Sequence, residues 1–458
     1  MAQLRLISRL FLGMIVCFPA FSCNGNVTPD GPDDEMVTIT MHRNAVGSES
    51  RTMEVVKGTV PGREPNWPAI YENHVMTGWY RDKECTVPFD FYTDVVDEPI
   101  DVFMEWGPEL LLKDKGKVAR VTGKTTTDMS LPNPNRTDEK WNLGGTDLGI
   151  IWKMANGEYG VLFGDTYGAD FRPSGGGPGG AGDWRSNVLG FSNSTDFSKG
   201  LVFSDMYHEP LNPNRAAPVI VRENYFAFTY IPTAAISLDG KEYMHYMYWE
   251  VGDRSHDNQV YSSYVVSEDS GRSWRSCKGL IQFDKDSYFG MVALATKPGD
   301  DYCYMMGART GAGYRQSTAR LARFKYADVL DKSKYEFWNS SRGTWIKGDE
   351  SRATDVLDGT VGEMSLMYFE QYDRWVAMYF DSAAYAICYR SAARINGPWS
   401  MEHVICRGSD PRYAQLYGSF IHPACAAKDW DSNAVYWTIS QWQPYNVFLM
   451  KAEASFAK

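Results

Sequence analysis

The 458-residue chain reads as an all-β protein whose large C-terminal part is a closed β-propeller, preceded by a small β domain. Two observations predict this. Apolar segments of strand length recur at 225–230, 243–251, 260–267, 301–307, 375–381, 384–390, 434–440 and 447–454, with turn-forming residues between them. Long helical periodicity is absent, and only 327–331 has the pattern of a helical turn. About 340 residues follow the small domain, a length that β architectures fill as one closed unit. Radial blades protect strand edges and leave a central funnel for a ligand. A two-sheet sandwich is the rival arrangement.

The chain opens on a targeting signal rather than on the fold. Arg5 and Arg9 precede an apolar run over 10–18, and Pro19, Ala20, Phe21 and Ser22 lead into Cys23. This is the layout of a signal peptide, residues 1–23, that ends at a lipidated cysteine. The run is too short to span a bilayer. Phe21 stands where a lipoprotein signal usually has a small residue, so a cleaved secretory form is the alternative. Residues 24–35 (NGNVTPDGPDDE) are too polar to bury a core and read as a tether. An outer-membrane lipoprotein facing the cell surface or periplasm is expected, a monomer that touches the membrane only through its anchor.

Residues 36–107 alternate as VTITMHR, turn at KGTVPG, and continue through HVMTGWYRDKECTVPFDFYTDVV to a closing EW. Several short strands with spaced aromatics predict a β domain of about 70 residues. Gly78-Trp79-Tyr80, the PFDF segment from Pro88, and Glu105-Trp106 resemble the internalin-type B repeat, which implies a β-grasp-like spacer or adhesion module. Trp79 and Trp106 are expected to pack its core, because so small a unit has little else to bury. A junction at 107–114 then leads into the main domain, 115–458.

That domain is organised around residues 141–187. Asp147, in LGGTDLGI, and Asp165, in FGDTYG, each sit in a small-residue turn at the end of a strand candidate, and MANGEYG between them reads as a hairpin turn. Antiparallel pairing across that turn places both aspartates at one edge of the sheet. Two carboxyl groups facing one cleft are what glycosidic cleavage needs: one acid protonates the leaving oxygen, and one carboxylate attacks or activates water. Each aspartate has a plain alternative, since strand-end Asp residues also serve local hydrogen bonding.

The ordered set GKTTTDMSLPNPN, LGGTDLGI, FGDTYG, DWRSN, IPTAAI, GEMS, GPWS, YGSFIHP and SQWQPYNVFLM resembles the bacterial endo-D-arabinanase family of glycoside hydrolases. The resemblance implies a five-bladed propeller that cuts α-linked D-arabinofuranose chains with Asp147 and Asp165 as its acids. It needs no cofactor, and its partner is the polysaccharide D-arabinan. Trp184, Tyr417 and Trp442, in loop motifs of this set, are candidates to stack on sugar rings. Arg185 and Asn187 are candidates to hold sugar hydroxyls or the carboxylates, and His422 to bond substrate or serve as a structural histidine. Glu363, in GEMS, is either a third carboxylate or a turn residue. Phe163 and Tyr167 beside Asp165 favour Asp165 as the acid. A different furanosidase on the same scaffold and a glycan-capture lipoprotein without catalysis are the alternatives.

SEDSGRSW, from Ser267, resembles the Asp-box turn of sialidase-like propellers, with Asp269 expected to be architectural. A net charge of −11 argues against nucleic acid, which is bound by neutralising phosphates. Gly123-Lys124-Thr125 is not a phosphate loop, because Val118 stands where the motif requires glycine. Neither an HExxH nor a GxSxG motif occurs. Cys85, Cys277, Cys303, Cys388, Cys406 and Cys425 form no zinc pattern, and either disulfides or buried thiols suit them. The glycine-rich loop at 174–182 reads as a surface connection or a flap over Asp165.

Overall fold

A computed structural model describes residues 35–45, 47, 49–65, 67, 71–123, 128–172, 182–222, 226–252 and 258–458. The leader with Cys23, the tether up to residue 34 and nearly all of the glycine-rich loop lie outside the described residues.

The alternating VTITMHR pattern becomes strand Met36–His42, whose alternate residues are buried. It pairs antiparallel with Ser50–Val56 and parallel with Ile100–Pro108, and His74–Tyr80 and Pro88–Phe89 complete a five-stranded sheet. Ile39, Trp79, Phe91, Val102 and Met104 form its core. Trp106 packs at the edge, donating to the Arg43 carbonyl at 2.7 Å.

The rest is a five-bladed β-propeller. The first blade is Leu148–Lys153, Tyr159–Phe163, Val188–Ser192 and Phe203–Met206, running outward in that order. The second starts at Ala227–Leu238, the third at Met291–Thr296, the fourth at Asp355–Phe369 and the fifth at Leu416–Ile421. These five starting strands contact one another in a closed ring, the fifth returning to the first, and so surround one axis. Apolar side chains on both faces of each blade pack between neighbouring sheets, which is why strands such as Arg374–Asp381 are buried along their whole length.

Closure comes from the two ends of the domain. Leu110–Arg120 pairs antiparallel with the last strand, Asn446–Phe456, as the outer strand of the fifth blade. The segment expected to be a junction is therefore largely strand: Leu110 and Leu112 are buried against the fourth and fifth blades, and only Glu109 separates them from the N-terminal sheet. The apolar alternation there is weak because Lys113 and Lys115 are exposed and the residue between them is Asp114, which accepts from the Tyr413 hydroxyl. The helical turn expected at 327–331 is a 3₁₀ turn, Tyr326–Asp328.

The Asp-box turn joins strands Gln259–Ser267 and Arg275–Ser276. Asp269 accepts from the backbone N–H of Arg272 and Ser273 at 3.1 and 2.8 Å and from the hydroxyls of Ser267 and Ser273. Gly271, at φ +79°, has no room for a side chain beside Met154 and Phe191 of the first blade. Among the described residues the six cysteines are free thiols, no helix is long and apolar enough to cross a membrane, and no group of His, Cys, Asp or Glu is placed to hold a metal.

Candidate active site

The hairpin places the two aspartates together. Leu148 pairs with Phe163, so Asp147 and the Gly164-Asp165 step follow at the same end of the first two strands. Beyond them the strands stay joined by a Gly145–Tyr167 bridge and by a 2.7 Å bond between the Thr146 and Thr166 hydroxyls. Gly164 is required here, since a Cβ would stand 2.4 Å from Asp147 Oδ1. Leu148 at φ +68° and Gly149 at φ +93° make a bulge that turns Asp147 out of the ladder. A left-handed leucine costs on the order of 1 kcal/mol or more and persists only where its surroundings enforce it.

Every blade contributes to the surroundings of the pair. Thr229 of the second blade donates to Asp165 Oδ1 at 2.5 Å. Tyr417 of the fifth donates to Asp147 Oδ2 at 2.9 Å, while Asp147 Oδ1 has no partner. Glu363 of the fourth blade is held by Arg315, from the third, through Nε at 3.0 Å to both oxygens, and accepts from the Tyr314 hydroxyl at 2.7 Å. The Arg315 guanidinium lies 5.1 Å from the Tyr417 ring centre. Tyr445 stands edge-on to Tyr167 and Trp442, and Trp442 is 42% exposed. Arg315 and Tyr445 are left-handed like Leu148.

Both carboxyls keep some exposed surface, so water reaches them, yet protein encloses them from most directions. Burial pushes Asp147 up to about 7, helped by the charges of Asp165 and Glu363 and opposed by the Tyr417 and Tyr445 hydroxyls. Burial also lifts Asp165, to about 6, with the Thr229 hydrogen bond and the Arg222 charge pulling it down. Near neutrality such a pair holds about one proton between its members. Burial thus raises both carboxyls, while the Thr229 hydroxyl and Arg222 favour the ionised form of Asp165 and the Tyr417 hydroxyl that of Asp147.

The other candidates divide sharply. Trp184 is partly exposed and lies parallel to Phe228, rings 6.3 Å apart, with Arg222 4.7 Å above it. Phe228 precedes the Asp165 partner Thr229, so this exposed platform adjoins the pair. Tyr417, Trp442 and Glu363 also border it, but Tyr417 is buried in the strand Leu416–Ile421 rather than in a loop, with its hydroxyl on Asp147 and no ring face free for a sugar, and Glu363 is buried in its ion pair. Arg185, Asn187 and His422 do not serve as substrate ligands. Arg185 is buried and donates to the carbonyls of Asn142 and Ala216. Asn187 is fully buried, its amide spanning the backbone of Val219, Ile220 and Tyr230. His422 is fully buried between Tyr159 and Phe197, accepting from the Ala424 N–H, and burial holds it at about 3. Their motifs sit beside the site, but the side chains point into the scaffold.

Thr229, Arg222, Arg315, Tyr314 and Tyr445 are not distinguished as site residues by the sequence alone. Thr229 is a lone hydroxyl in an apolar strand, and Tyr445 lies within a recognised motif. No local pattern marks Arg222 or Arg315, whose places are set by long-range packing.

Curated relatives include the notoamide biosynthesis cluster protein J of Aspergillus sp. (strain MF297-2), 25% identical over 71% of this chain and 86% of that protein. Its counterpart J′ from Aspergillus versicolor is 24% identical over 66% and 82%. Among solved structures, the catalytic domain of a Coprinopsis cinerea GH62 alpha-L-arabinofuranosidase aligns with a TM-score of 0.39 at 9% identity, covering 76% of this chain and 98% of that one. Residues 132–451, which contain the aspartate pair and the start of every blade, match the family described as a domain of unknown function, DUF4185, and the chain belongs to that family.

Proposed function

We propose that this protein is a glycoside hydrolase that cuts within α-linked D-arabinofuranose chains, using Asp147 and Asp165. The observation that carries the reading is the pair of carboxyls where all five blades meet, both raised by burial, with Asp147 Oδ1 unpaired and exposed aromatic rings among the surrounding residues. A structural aspartate has its oxygens satisfied. A buried carboxyl oxygen without a partner, on a residue that keeps some exposed surface, is suited to carry a proton toward a substrate atom.

In the proposed cycle Asp147 carries the proton and delivers it to the departing glycosidic oxygen. Asp165, kept ionised by Thr229 and Arg222, acts on the anomeric carbon directly or through water. Glu363 stays paired with Arg315 and raises the proton affinity of Asp147 by its charge. Trp184 with Phe228, and Trp442, offer ring faces to sugars on the two sides of the pair. We place the protein at the outer membrane, anchored through Cys23.

Product analysis on purified D-arabinan, beside L-arabinan, tests this. A ladder of short oligosaccharides from D-arabinan alone, lost in Asp147→Asn and Asp165→Asn, is expected. Release from L-arabinan instead would assign a different furanosidase. Binding without release, unchanged in both variants, would overturn catalysis and leave a glycan-capture protein.

A further inference from the structure

The N-terminal domain is not a detached spacer. Glu64 pairs with Arg394 of the propeller at 2.6 Å, Tyr92 donates to the Gly343 carbonyl, and Arg374 donates to the Pro108 carbonyl at 3.1 Å. Between these contacts lies a cleft of about 310 Å³ against the third and fourth blades, away from the aspartate pair. That is room for one or two sugar rings, at the small end of ligand pockets. Its walls include Trp67 and Trp79 from the small domain and Trp338 and Trp399 from the propeller, each more than nine-tenths buried.

The polar groups of these walls are unusual. The indole N–H groups of Trp79, Trp338 and Trp399 and the Nε–H of Arg394 are buried without a hydrogen-bond partner. All four are donors. Buried donors normally find partners, and leaving one unsatisfied costs about 1–3 kcal/mol. The charges of the cleft, by contrast, are neutralised within the protein: Glu64 by Arg394, Asp358 by Arg390, and Asp355 by Arg320. A matching occupant is therefore uncharged, lies against aromatic rings, and carries hydrogen-bond acceptors that meet these solvent-shielded donors as the side chains of the walls shift.

We infer that the cleft between the N-terminal domain and the propeller is a second carbohydrate-binding site, taking one or two rings of a neutral glycan. It involves residues from both domains, so both must be in place for binding. It does not depend on the propeller being catalytic, and its test reads binding rather than cleavage.

The experiment is calorimetric titration of the full-length Asp147→Asn protein with neutral pentose oligosaccharides of the D-arabino, L-arabino and xylo series, with an oligogalacturonate as charged comparator. Trp338→Phe and Trp399→Phe are introduced together, keeping an aromatic ring while removing two donors, and Trp67→Ala separately, with thermal melts confirming folding. Two binding events per chain are expected for at least one neutral series. One of them should weaken at least 5-fold in the cleft variants and be unaffected by Trp442→Ala, and the galacturonate should not compete for it. A single event sensitive only to Trp442, cleft variants that bind like the parent, or no neutral series reaching the cleft would each overturn the inference. Arabinan cleavage by the wild type, measured in parallel, separates this result from the fate of the catalytic reading.

Discussion

Asp147 and Asp269 begin from the same local chemistry: an aspartate two residues from a glycine, in a turn at one end of an apolar strand. Their environments then diverge. Asp269 receives four hydrogen bonds from its own turn; burial works against it, but the bonds from Ser273, Ser267 and Arg272 hold its carboxyl below the usual range. Asp147 receives one bond from Tyr417, leaves an oxygen unpaired, and is pushed up to about 7. A turn aspartate that satisfies itself locally closes a blade. One that is left unsatisfied beside a second carboxyl is available to a ligand.

The largest test of that contrast is catalytic. Asp147→Asn and Asp165→Asn are each expected to lower kcat on arabinan by about 10³-fold or more, as loss of an acid or base does, with the fold retained. Asp269→Asn should leave kcat within about 2-fold, because the residue contacts neither substrate nor the carboxyl pair. Steady-state kinetics on the three variants measures both.

Tyr417→Phe comes next. Removing the hydroxyl that favours ionised Asp147 should move the alkaline limb of the pH–rate profile upward and reduce kcat about 10-fold. In the wild type the profile should be a narrow bell with limbs near 6 and 7, the values for the pair. A profile flat from pH 5 to about 8 would contradict the proton-sharing pair.

The smallest effect is on stability, and the two aspartates should have opposite signs. An unfolded aspartate ionises near about 3.9. Asp147 keeps its proton to higher pH when folded, so its stabilising contribution is complete below about pH 4 and is lost as pH rises through about 7. Asp147→Asn should therefore gain on the wild type, by a few degrees in Tm, as pH is raised across that window. For Asp269, depressed when folded, stabilisation is present above about pH 4 and fades as pH falls. Asp269→Asn should thus lose most near neutrality and least in acid, which thermal melts across pH would resolve.

The comparison also explains which site residues were legible. Asp147 and Asp165 could be paired from sequence because a hairpin is local: turn and strand pattern set the register, and the register sets which residues meet. Tyr417 and Trp442 stood out in loop motifs and do border the pair. Arg185, Asn187 and His422 stood in equally suggestive motifs, yet strand continuation buries them where they hold backbone together. Thr229, Arg222 and Arg315 were silent, since each meets the pair through another blade far away in sequence.

Alternation, turn chemistry and the absence of helical periodicity are properties of neighbouring residues, and from them the chain specifies its all-β class, the aspartate hairpin and the self-contained Asp-box turn. Blade boundaries, the closure of Asn446–Phe456 by Leu110–Arg120, the hydroxyls that reach the pair from other blades and the tryptophan-walled cleft were decided only by the assembled structure. Burial and charge act through space. They depend on which distant segments the closing ring brings together, and no short stretch of sequence records that.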